Sequence, residues 1–219
     1  MTANPPLYGP QQSRFARCLE QRELRRPDPV HRELRRQLLS GLRGRVIEVG
    51  AGDGRSFEHY PATVDRVLAV EPDATARAGA AERAEAAQVP IEIVHGDAAS
   101  LPVEDDSFDA AVVMGLLCTV PDPATALHEL RRVLVPGGEL RFWEHVRAKN
   151  PVFRALQRSF DALFWTRALG GCRTTRDTES AIEAAGFRIE TLDRRFHSSS
   201  LATITTAPNI IGVARAPDR

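Results

Sequence analysis

The glycine-rich segment VIEVGAGDGR, at residues 46–55, constrains the fold more than any other part of the sequence. A short apolar run typical of a buried strand leads directly into glycines at positions 50, 52 and 54. Glycine allows a sharp turn after a strand and lets a ligand approach the backbone where a Cβ would clash. Such turns also occur for packing reasons alone, so the segment predicts either a tight strand connection or the ligand-binding turn of an α/β fold. In the second case, we expect a helix after the turn to direct its amino end at the ligand.

The rest of the chain alternates between strand and helix patterns. Strands are predicted at residues 45–49, 66–72, 91–97, 108–115, 139–146, 187–196 and 209–216. Helices are predicted in two patterns within 14–43 and at 75–88, 123–134, 151–169 and 176–185. Strands that alternate with helices form parallel βαβ units, whereas the last two strands, joined by a loop without a helical pattern, predict an antiparallel pair at one edge. We therefore expect an α/β fold with a doubly wound, mostly parallel, seven-stranded sheet, an antiparallel edge strand and a helical N-terminal segment.

Three local signals are expected to bound helices. Pro-Gly-Gly at 136–138 should end the helix at 123–134. Thr175 is the predicted N-cap of the last helix, and Gly186 is its predicted C-terminal stop.

Composition narrows the class of partner. The chain has 29 Lys+Arg and 29 Asp+Glu, and a formal net charge of zero argues against binding to duplex DNA. The longest apolar run, residues 110–118, is far shorter than the ~20 residues of a membrane-spanning helix. The first twenty residues also lack the apolar core of a signal peptide. We expect a cytoplasmic protein that acts on a small molecule, without a nucleic acid partner and without integral membrane association; its oligomeric state stays open.

The cysteines do not follow a metal-binding pattern. Cys18, Cys118 and Cys172 are odd in number and separated by 100 and 54 residues. These spacings match neither a disulfide framework nor a zinc motif. From the sequence, we expect reduced cysteines and no metal.

Two carboxylates follow predicted strands at positions where nucleotides bind. Glu71 comes 21 residues after Gly50 and closes the second predicted strand, where a carboxylate can accept hydrogen bonds from ribose hydroxyls. Both NAD and S-adenosylmethionine carry such a ribose, but a dinucleotide fingerprint would need glycine where Arg55 stands. Asp97 ends the third predicted strand and could accept the exocyclic amine of adenine, while Ala98 offers a backbone N–H to the ring.

Five segments, in order and at the expected spacing, resemble the class I S-adenosylmethionine-dependent methyltransferases. They are GAGDG (50–54), Glu71-Pro72, Gly96-Asp97-Ala98, LPVEDDSFDAAVV (101–113) and LRRVLVPGGELRF (130–142). The resemblance covers residues 44–146 and implies S-adenosyl-L-methionine as the cofactor. It implies cofactor contacts from strand ends and the loops after them: Glu48, Gly50, Ala51, Gly52, Glu71, Pro72, Asp97, Ala98, Met114 and Gly115.

The implied contacts divide the cofactor by its parts. The glycine turn would line the methionine and ribose portion, with Glu48 behind it near the amino group. Glu71 would bind the ribose, and Asp97 and Ala98 the adenine. Met114 and Gly115 would border the thioether and the methionine amine.

A closer resemblance extends almost to the C-terminus. FEHYP (57–61), LCTVP (117–121), EHV (144–146), GGCRTTRDT (170–178), AIEAAGF (181–187) and APNIIGVARAP (207–217) resemble bacterial relatives of the animal thiol methyltransferases of the methyltransferase-like group. This implies methyl transfer to a small acceptor, with a thiol as one candidate. A small-molecule O- or N-methyltransferase of quinone or secondary metabolism is an alternative, and a non-catalytic S-adenosylmethionine-binding module is a third.

The same resemblance suggests three functional parts. Residues 1–43 would form a helical segment that covers the active site, and residues 44–146 the S-adenosylmethionine-binding core. Residues 147–219 would supply a helical acceptor-site insertion and a terminal β-hairpin of the same domain.

Acceptor contacts are expected from strand ends and flanking segments. The candidates for substrate contact are His59, Tyr60, Cys118, Phe164 and Trp165, and those for proton transfer are Glu144 and His145. A thiol with a pKa of ~8.5 ionises with little help, whereas a hydroxyl acceptor needs a general base. The sequence therefore leaves the catalytic residues unassigned.

Overall fold

The computed structural model describes residues 28–162, 171–198 and 201–218. The strands are β1 (Gly44–Val49), β2 (Val64–Val70), β3 (Ile91–Val94), β4 (Phe108–Met114), β5 (Leu134–His145), β6 (Arg188–Phe196) and β7 (Pro208–Arg215). The helices are α1 (Pro29–Leu39), α2 (Ala74–Glu85), α3 (Pro123–Val133), α4 (Pro151–Phe160) and α5 (Thr178–Ala184). Short 3₁₀ helices occupy Phe57–His59 and Leu201–Thr206.

The strands form one sheet in the order β3-β2-β1-β4-β5-β7-β6. Strands β1 to β5 pair in parallel, whereas β7 is antiparallel to both β5 and β6. The predicted α/β fold, with its mostly parallel sheet and antiparallel edge pair, is confirmed. Because β1, β2, β4 and β5 run in the same direction, their carboxyl ends meet at one edge of the sheet.

Both faces of the sheet are covered, as a doubly wound fold requires. Along β4, Ala111 and Val113 belong to one apolar cluster, and Ala110 and Val112 belong to the other. This alternation follows from the two-residue period of a strand. The first cluster includes the buried apolar side chains of α3 and α5, and the second includes those of α1 and α2.

Side-chain caps fix where four of the described helices begin. Asp28, Asp73, Asp122 and Asn150 each accept a hydrogen bond from a backbone N–H in the first turn of the helix that follows. This satisfies a donor that the helix itself leaves unpaired. Proline in the first turn of α1, α3 and α4 reinforces the start, because its fixed φ already suits a helix.

Helix α1 is the described part of the predicted N-terminal helical segment; residues 1–27 lie outside the described residues. Leu34 and Leu38 face the sheet and are buried. Arg141 on β5 donates to the carbonyls of Leu38, at 2.8 Å, and Ser40, at 2.6 Å. The helix is therefore fastened to the middle of the sheet at its C-terminal end.

Several predicted boundaries were wrong. No α-helix follows the glycine turn, because the few residues before Pro61 form only the 3₁₀ helix Phe57–His59. Pro-Gly-Gly at 136–138 lies inside β5, at the register break with β4, and α3 has already ended at Val133.

The last helix also begins later than predicted. Helix α5 starts at Thr178, with Asp177 in the N-cap position, and the Thr175 hydroxyl instead donates to Asp161 at 2.8 Å. Gly186, with a φ of +90°, ends this helix as expected. The loop predicted between β6 and β7 contains the 3₁₀ helix Leu201–Thr206.

Helix α4 ends earlier than the predicted span of 151–169, of which residues 163–169 lie outside the described part. Among the residues that the structure describes, no helix has both the length and the apolar character needed to cross a bilayer.

Candidate functional site

The glycine turn, residues 50–54, leaves β1 at the carboxyl edge of the sheet. The Gly50 N–H donates to Val70 O at 2.8 Å, so the turn starts alongside the end of β2. Gly52 has a φ of +56°, and no described atom lies within 4 Å of a Cβ built on it. The backbone of the turn therefore faces open space at Gly52, in a conformation that favours glycine.

Glu71 follows β2 and fastens the glycine turn. One carboxylate oxygen accepts the Gly52 N–H at 2.9 Å, and the other accepts the Asp73 N–H at 2.9 Å. The side chain is only 8% exposed, whereas the sequence predicted a strand-end carboxylate outside the core. An ionised carboxylate offers about four acceptor positions, so Glu71 keeps acceptor capacity for a bound ligand.

Glu48 lies beneath the glycine turn and is buried. It accepts hydrogen bonds from the Ser56 hydroxyl at 2.7 Å and the Tyr60 hydroxyl at 2.8 Å. Burial raises the pKa of Glu48 to about 7, although both hydroxyls oppose the shift. Burial likewise raises the pKa of Tyr60 well above its usual value. The structure thus places Tyr60, a predicted substrate contact, with Glu48 in the core.

His59 lies on the other side of the same short 3₁₀ helix. Its Nε2 is 3.6 Å from a carboxylate oxygen of Glu58, and burial lowers the pKa of the ring. Its electrostatic neighbours include the arginines of α1, so the ring lies beside that helix.

Asp97 and Ala98 lie in a tight turn two residues beyond β3 and not at the strand end that the sequence predicted. The Asp97 carboxylate accepts the Ala99 N–H at 2.8 Å, and Ala98 is buried. A Cβ on Gly96 would come within 2.7 Å of the Val70 side chain, so the turn packs against the end of β2. Both predicted adenine contacts therefore lie beside the strand that leads to Glu71.

The β4 loop, residues 115–120, is held by a buried carboxylate. Glu144 accepts the N–H groups of Leu116 at 2.9 Å, Leu117 at 3.0 Å and Cys118 at 2.9 Å. Burial, and to a lesser extent the nearby Cys118 thiol, raise the pKa of Glu144 well above its usual value. Since both oxygens of this 1%-exposed carboxyl are engaged with backbone, these contacts support a positioning role over proton transfer from a substrate.

The β4 loop also contacts the glycine turn. A Cβ on Gly50 would come within 2.9 Å of the Leu116 side chain. Gly115, with a φ of +69°, has no described atom within 4 Å of the Cβ position. The two predicted cofactor segments therefore adjoin one another, and each has a glycine that faces open space.

The 171–176 segment lies against the β4 loop. The Arg173 N–H donates to Cys118 O at 2.8 Å, and the Arg176 guanidinium donates to Leu117 O. The fully buried Gln157 of α4 donates to Thr174 O at 3.0 Å and accepts the Ala148 N–H at 2.8 Å. Through Gln157, helix α4 fastens this segment to the chain that leaves β5.

Three soft or nitrogenous ligand atoms meet where these segments join, and we call them the Cys-His-Cys cluster. The Sγ atoms of Cys118 and Cys172 lie 3.6 Å apart. His145 Nδ1, at the end of β5, is 3.7 Å from the first sulfur and 3.6 Å from the second. The Cys172 thiol and burial raise the pKa of Cys118.

The sequence identified Cys118 and His145 as candidates but missed Cys172. Each of the three lies in a different segment of the closer resemblance, LCTVP, EHV and GGCRTTRDT, and that distribution was the available signal. Phe164 and Trp165, the other predicted acceptor contacts, lie outside the described residues.

Comparison with known proteins decides the family. A sequence model described as a methyltransferase domain matches residues 47–142. Over 208 residues, the chain is 30% identical to thiol S-methyltransferase TMT1B of Mus musculus, which covers 91% of this chain and 84% of that protein. The chain belongs to the class I S-adenosylmethionine-dependent methyltransferases.

Two further similarities place this methyltransferase more broadly. It is 43% identical to demethylmenaquinone methyltransferase of Staphylococcus haemolyticus over 70 residues, 32% of this chain and 29% of that protein. An S-adenosylmethionine-dependent methyltransferase of Thermotoga maritima superposes with a TM-score of 0.68 at 23% identity, covering 93% of this chain and 97% of that one. The structural similarity bears on the fold alone.

The methyltransferase uses S-adenosylmethionine as its cofactor, and the carboxyl edge of the sheet fits that molecule. The backbone at Gly52 and Gly115 faces open space that a Cβ would enter. Glu71, between them and the Asp97 turn, retains acceptor positions suited to ribose hydroxyls.

Proposed function

We propose that this methyltransferase transfers a methyl group to a small-molecule thiol. The observation that carries the proposal is the 30% identity to a thiol S-methyltransferase, which extends over 91% of the chain. The similarity to the demethylmenaquinone enzyme covers only 32% of the chain. A match of nearly full length includes the 171–176 segment and the hairpin beyond the cofactor core, where acceptor specificity is expected.

S-adenosylmethionine supplies a methyl group already activated on a sulfonium, so the protein has to hold the nucleophile in line and exclude water. We assign the glycine turn, with Glu48 beneath it, to the methionine and ribose portion, and Glu71 to the ribose. Asp97 and Ala98 then face the adenine, beside Pro72, and Met114 and Gly115 border the reacting end.

The acceptor side follows from the same assignment. The β4 loop and the 171–176 segment meet at the ends of β4 and β5, where ligands of open α/β sheets bind. Buried hydrogen bonds from Glu144 and Gln157 hold both segments in place. Residues 147–219 are therefore proposed to supply the acceptor wall, and residues 1–43 to cover it.

The zero net charge supports a small neutral acceptor over a nucleic acid. A cytoplasmic location remains a prediction from the sequence. A small-molecule O- or N-methyltransferase is the second candidate, favoured by the similarity to the demethylmenaquinone enzyme.

An acceptor panel tests the proposal. Matched thiols, phenols, quinols and amines are incubated with the full chain and methyl-labelled S-adenosylmethionine, and labelled product is counted. We expect labelled thioethers, with a rate that rises with pH towards the thiol pKa of ~8.5. The Glu71→Ala variant, weakened in cofactor binding, is the control for label that does not arise at this site. Inert thiols together with a methylated quinol or amine would replace the proposal with the second candidate.

A further inference from the structure

The Cys-His-Cys cluster brings together three side chains from three separate segments. Cys118 belongs to the β4 loop, His145 ends β5, and Cys172 belongs to the 171–176 segment. Cys118 and Cys172 are 1% and 6% exposed, whereas His145 is only partly buried. Their ligand atoms lie within 4.8 Å of one another, and among the described residues the group has these three members.

The distances within the cluster match the edges of a tetrahedral zinc site. With Zn–S of about 2.3 Å and Zn–N of about 2.0–2.1 Å, tetrahedral angles separate two sulfurs by about 3.8 Å and a sulfur from a nitrogen by about 3.5 Å. The observed separations are 3.6 Å between the sulfurs and 3.6–3.7 Å from sulfur to nitrogen. A disulfide would require about 2.05 Å between the sulfurs, so the two thiols are unlinked.

We propose that Cys118, His145 and Cys172 bind a zinc ion as the three protein ligands of a tetrahedral site whose fourth position takes an exogenous ligand. Thiolate and imidazole are the ligand types that zinc prefers. Three protein ligands with one exchangeable position characterise catalytic zinc sites, whereas structural sites use four.

The surroundings of the cluster fix its geometry in advance. Glu144 holds the Cys118 N–H at 2.9 Å, and the backbone of Arg173 is bonded to Cys118 O at 2.8 Å. Asp161 accepts the Thr174 and Thr175 N–H groups, each at 3.1–3.2 Å, which anchors the residues after Cys172. Ligands held by such outer contacts lose little freedom when they bind a metal.

The exchangeable position suits a thiol acceptor, an inference that rests on the proposed function. A thiol bound to zinc gives up its proton to water and stays bound as the thiolate. The thiolate sulfur then forms a bond to the methyl carbon while the carbon–sulfur bond of the sulfonium breaks. The products are a methyl thioether, S-adenosylhomocysteine and one proton, so atoms and charge balance.

Metal binding is tested on the full chain without any acceptor. The protein is stripped with a chelator and titrated with Zn²⁺, and then with Co²⁺ as a spectroscopic probe. We expect about one tightly bound equivalent per chain and, with Co²⁺, a thiolate-to-metal charge-transfer band with the intense visible bands of tetrahedral coordination. No tight Zn²⁺ binding, or bound Co²⁺ without the thiolate band, would overturn the proposal.

Matched variants assign the ligands. Loss of an outer-shell partner costs 10–100-fold in affinity, so Cys172→Ser and His145→Gln should each weaken Zn²⁺ binding by more than about 100-fold. His145→Cys keeps a soft ligand at the same position and should retain tight binding, which separates ligand loss from misfolding. Equal loss in His145→Gln and His145→Cys, with both variants folded by circular dichroism, would contradict ligation by His145.

Two control variants exclude other sites. Asp28, His31 and His197 form a second group within ligand distance, and His197→Ala should leave the tightly bound equivalent in place. Cys18→Ser should do the same. Loss of the metal in His197→Ala would assign it to the other group, and loss in Cys18→Ser would give a closed four-ligand site; either result overturns the proposal. A protein that binds zinc but methylates no thiol would refute the proposed acceptor and leave the site standing.

Discussion

The cofactor side of the site, made of the glycine turn and Glu71, draws on residues close together in the sequence, whereas the acceptor side gathers Cys118, His145 and Cys172 from distant segments. On the cofactor side, a single carboxylate ties the backbone of one turn to the next. On the acceptor side, Glu144 and Gln157 must bridge different elements before the cluster can exist. The first side can therefore be shared by enzymes with many acceptors, while the second can change without disturbing it.

The largest effect is expected where the acceptor side is braced. Glu144→Ala leaves three buried N–H groups without their acceptor, and each such loss costs about 1–3 kcal/mol. We expect the free energy of unfolding to fall by roughly 3–5 kcal/mol in urea titrations with excess chelator, which keeps metal binding out of the comparison. Glu92→Ala, which removes an exposed carboxylate on β3, should change it by less than about 0.5 kcal/mol. A loss of similar size in both variants would show that Glu144 does not brace the loop.

The sequence predicted the cofactor side better than the acceptor side for a physical reason. Glycine positions and the spacing from Gly50 to Glu71 are set by local backbone demands, which a sequence records directly. The missing helix after the turn was a local failure, since burial of Phe57 and Tyr60 around Glu48 and the approach of Pro61 leave room only for a 3₁₀ turn. These tertiary contacts outweigh local propensity.

The acceptor side could not be predicted in the same way. Thr175 has the sequence properties of an N-cap, but Asp161, from the end of α4, takes its hydroxyl. Cys118 and Cys172 are 54 residues apart, so their proximity depends on the packing of whole elements and not on a motif. Such sites have to be found in the fold.

On the cofactor side, the second-largest effect concerns pH. Glu48 has a pKa of about 7 in the folded protein, against an ordinary value of 4.5, because burial disfavours the carboxylate. The folded state thus binds a proton more tightly than the unfolded state, so this stabilisation is complete below about pH 4.5 and is lost as the pH rises through about 7.

Glu48→Gln isolates that contribution, because the amide cannot ionise and still accepts a hydrogen bond. Between about pH 5 and about pH 8, the unfolding free energy of the wild type should fall relative to the variant, by up to about 3 kcal/mol. Urea titrations across this range, without cofactor, measure the difference. Parallel curves for the two proteins would mean that Glu48 is ionised throughout.

The next effect separates cofactor binding from acceptor chemistry. Glu71→Ala should weaken S-adenosylmethionine and S-adenosylhomocysteine binding by about 1.5–3 kcal/mol in calorimetry, as expected for hydrogen bonds to a charged group. Because the variant also releases the Gly52 N–H, Glu71→Gln is the matched control, and it should lose less. Zinc binding at the other side should be unchanged in both. An unaltered dissociation constant in Glu71→Ala, or measurable NADH binding by the wild type, would contradict the assigned role.

The smallest effect decides on which side Tyr60 acts. The sequence suggested that Tyr60 contacts the acceptor, but its hydroxyl is bonded to Glu48 at 2.8 Å and the side chain is 2% exposed. Tyr60→Phe removes one hydrogen bond, so the unfolding free energy should fall by about 0.5–1.5 kcal/mol while the KM for the acceptor stays within about twofold. Since the lost hydroxyl stabilised the ionised carboxylate, the pKa of Glu48 should rise further, and the loss of stability at high pH should steepen. In the Glu48→Gln background, the same substitution should leave the pH dependence unchanged, because the group that titrates is gone. A rise in acceptor KM without a change in stability would instead place Tyr60 on the acceptor wall.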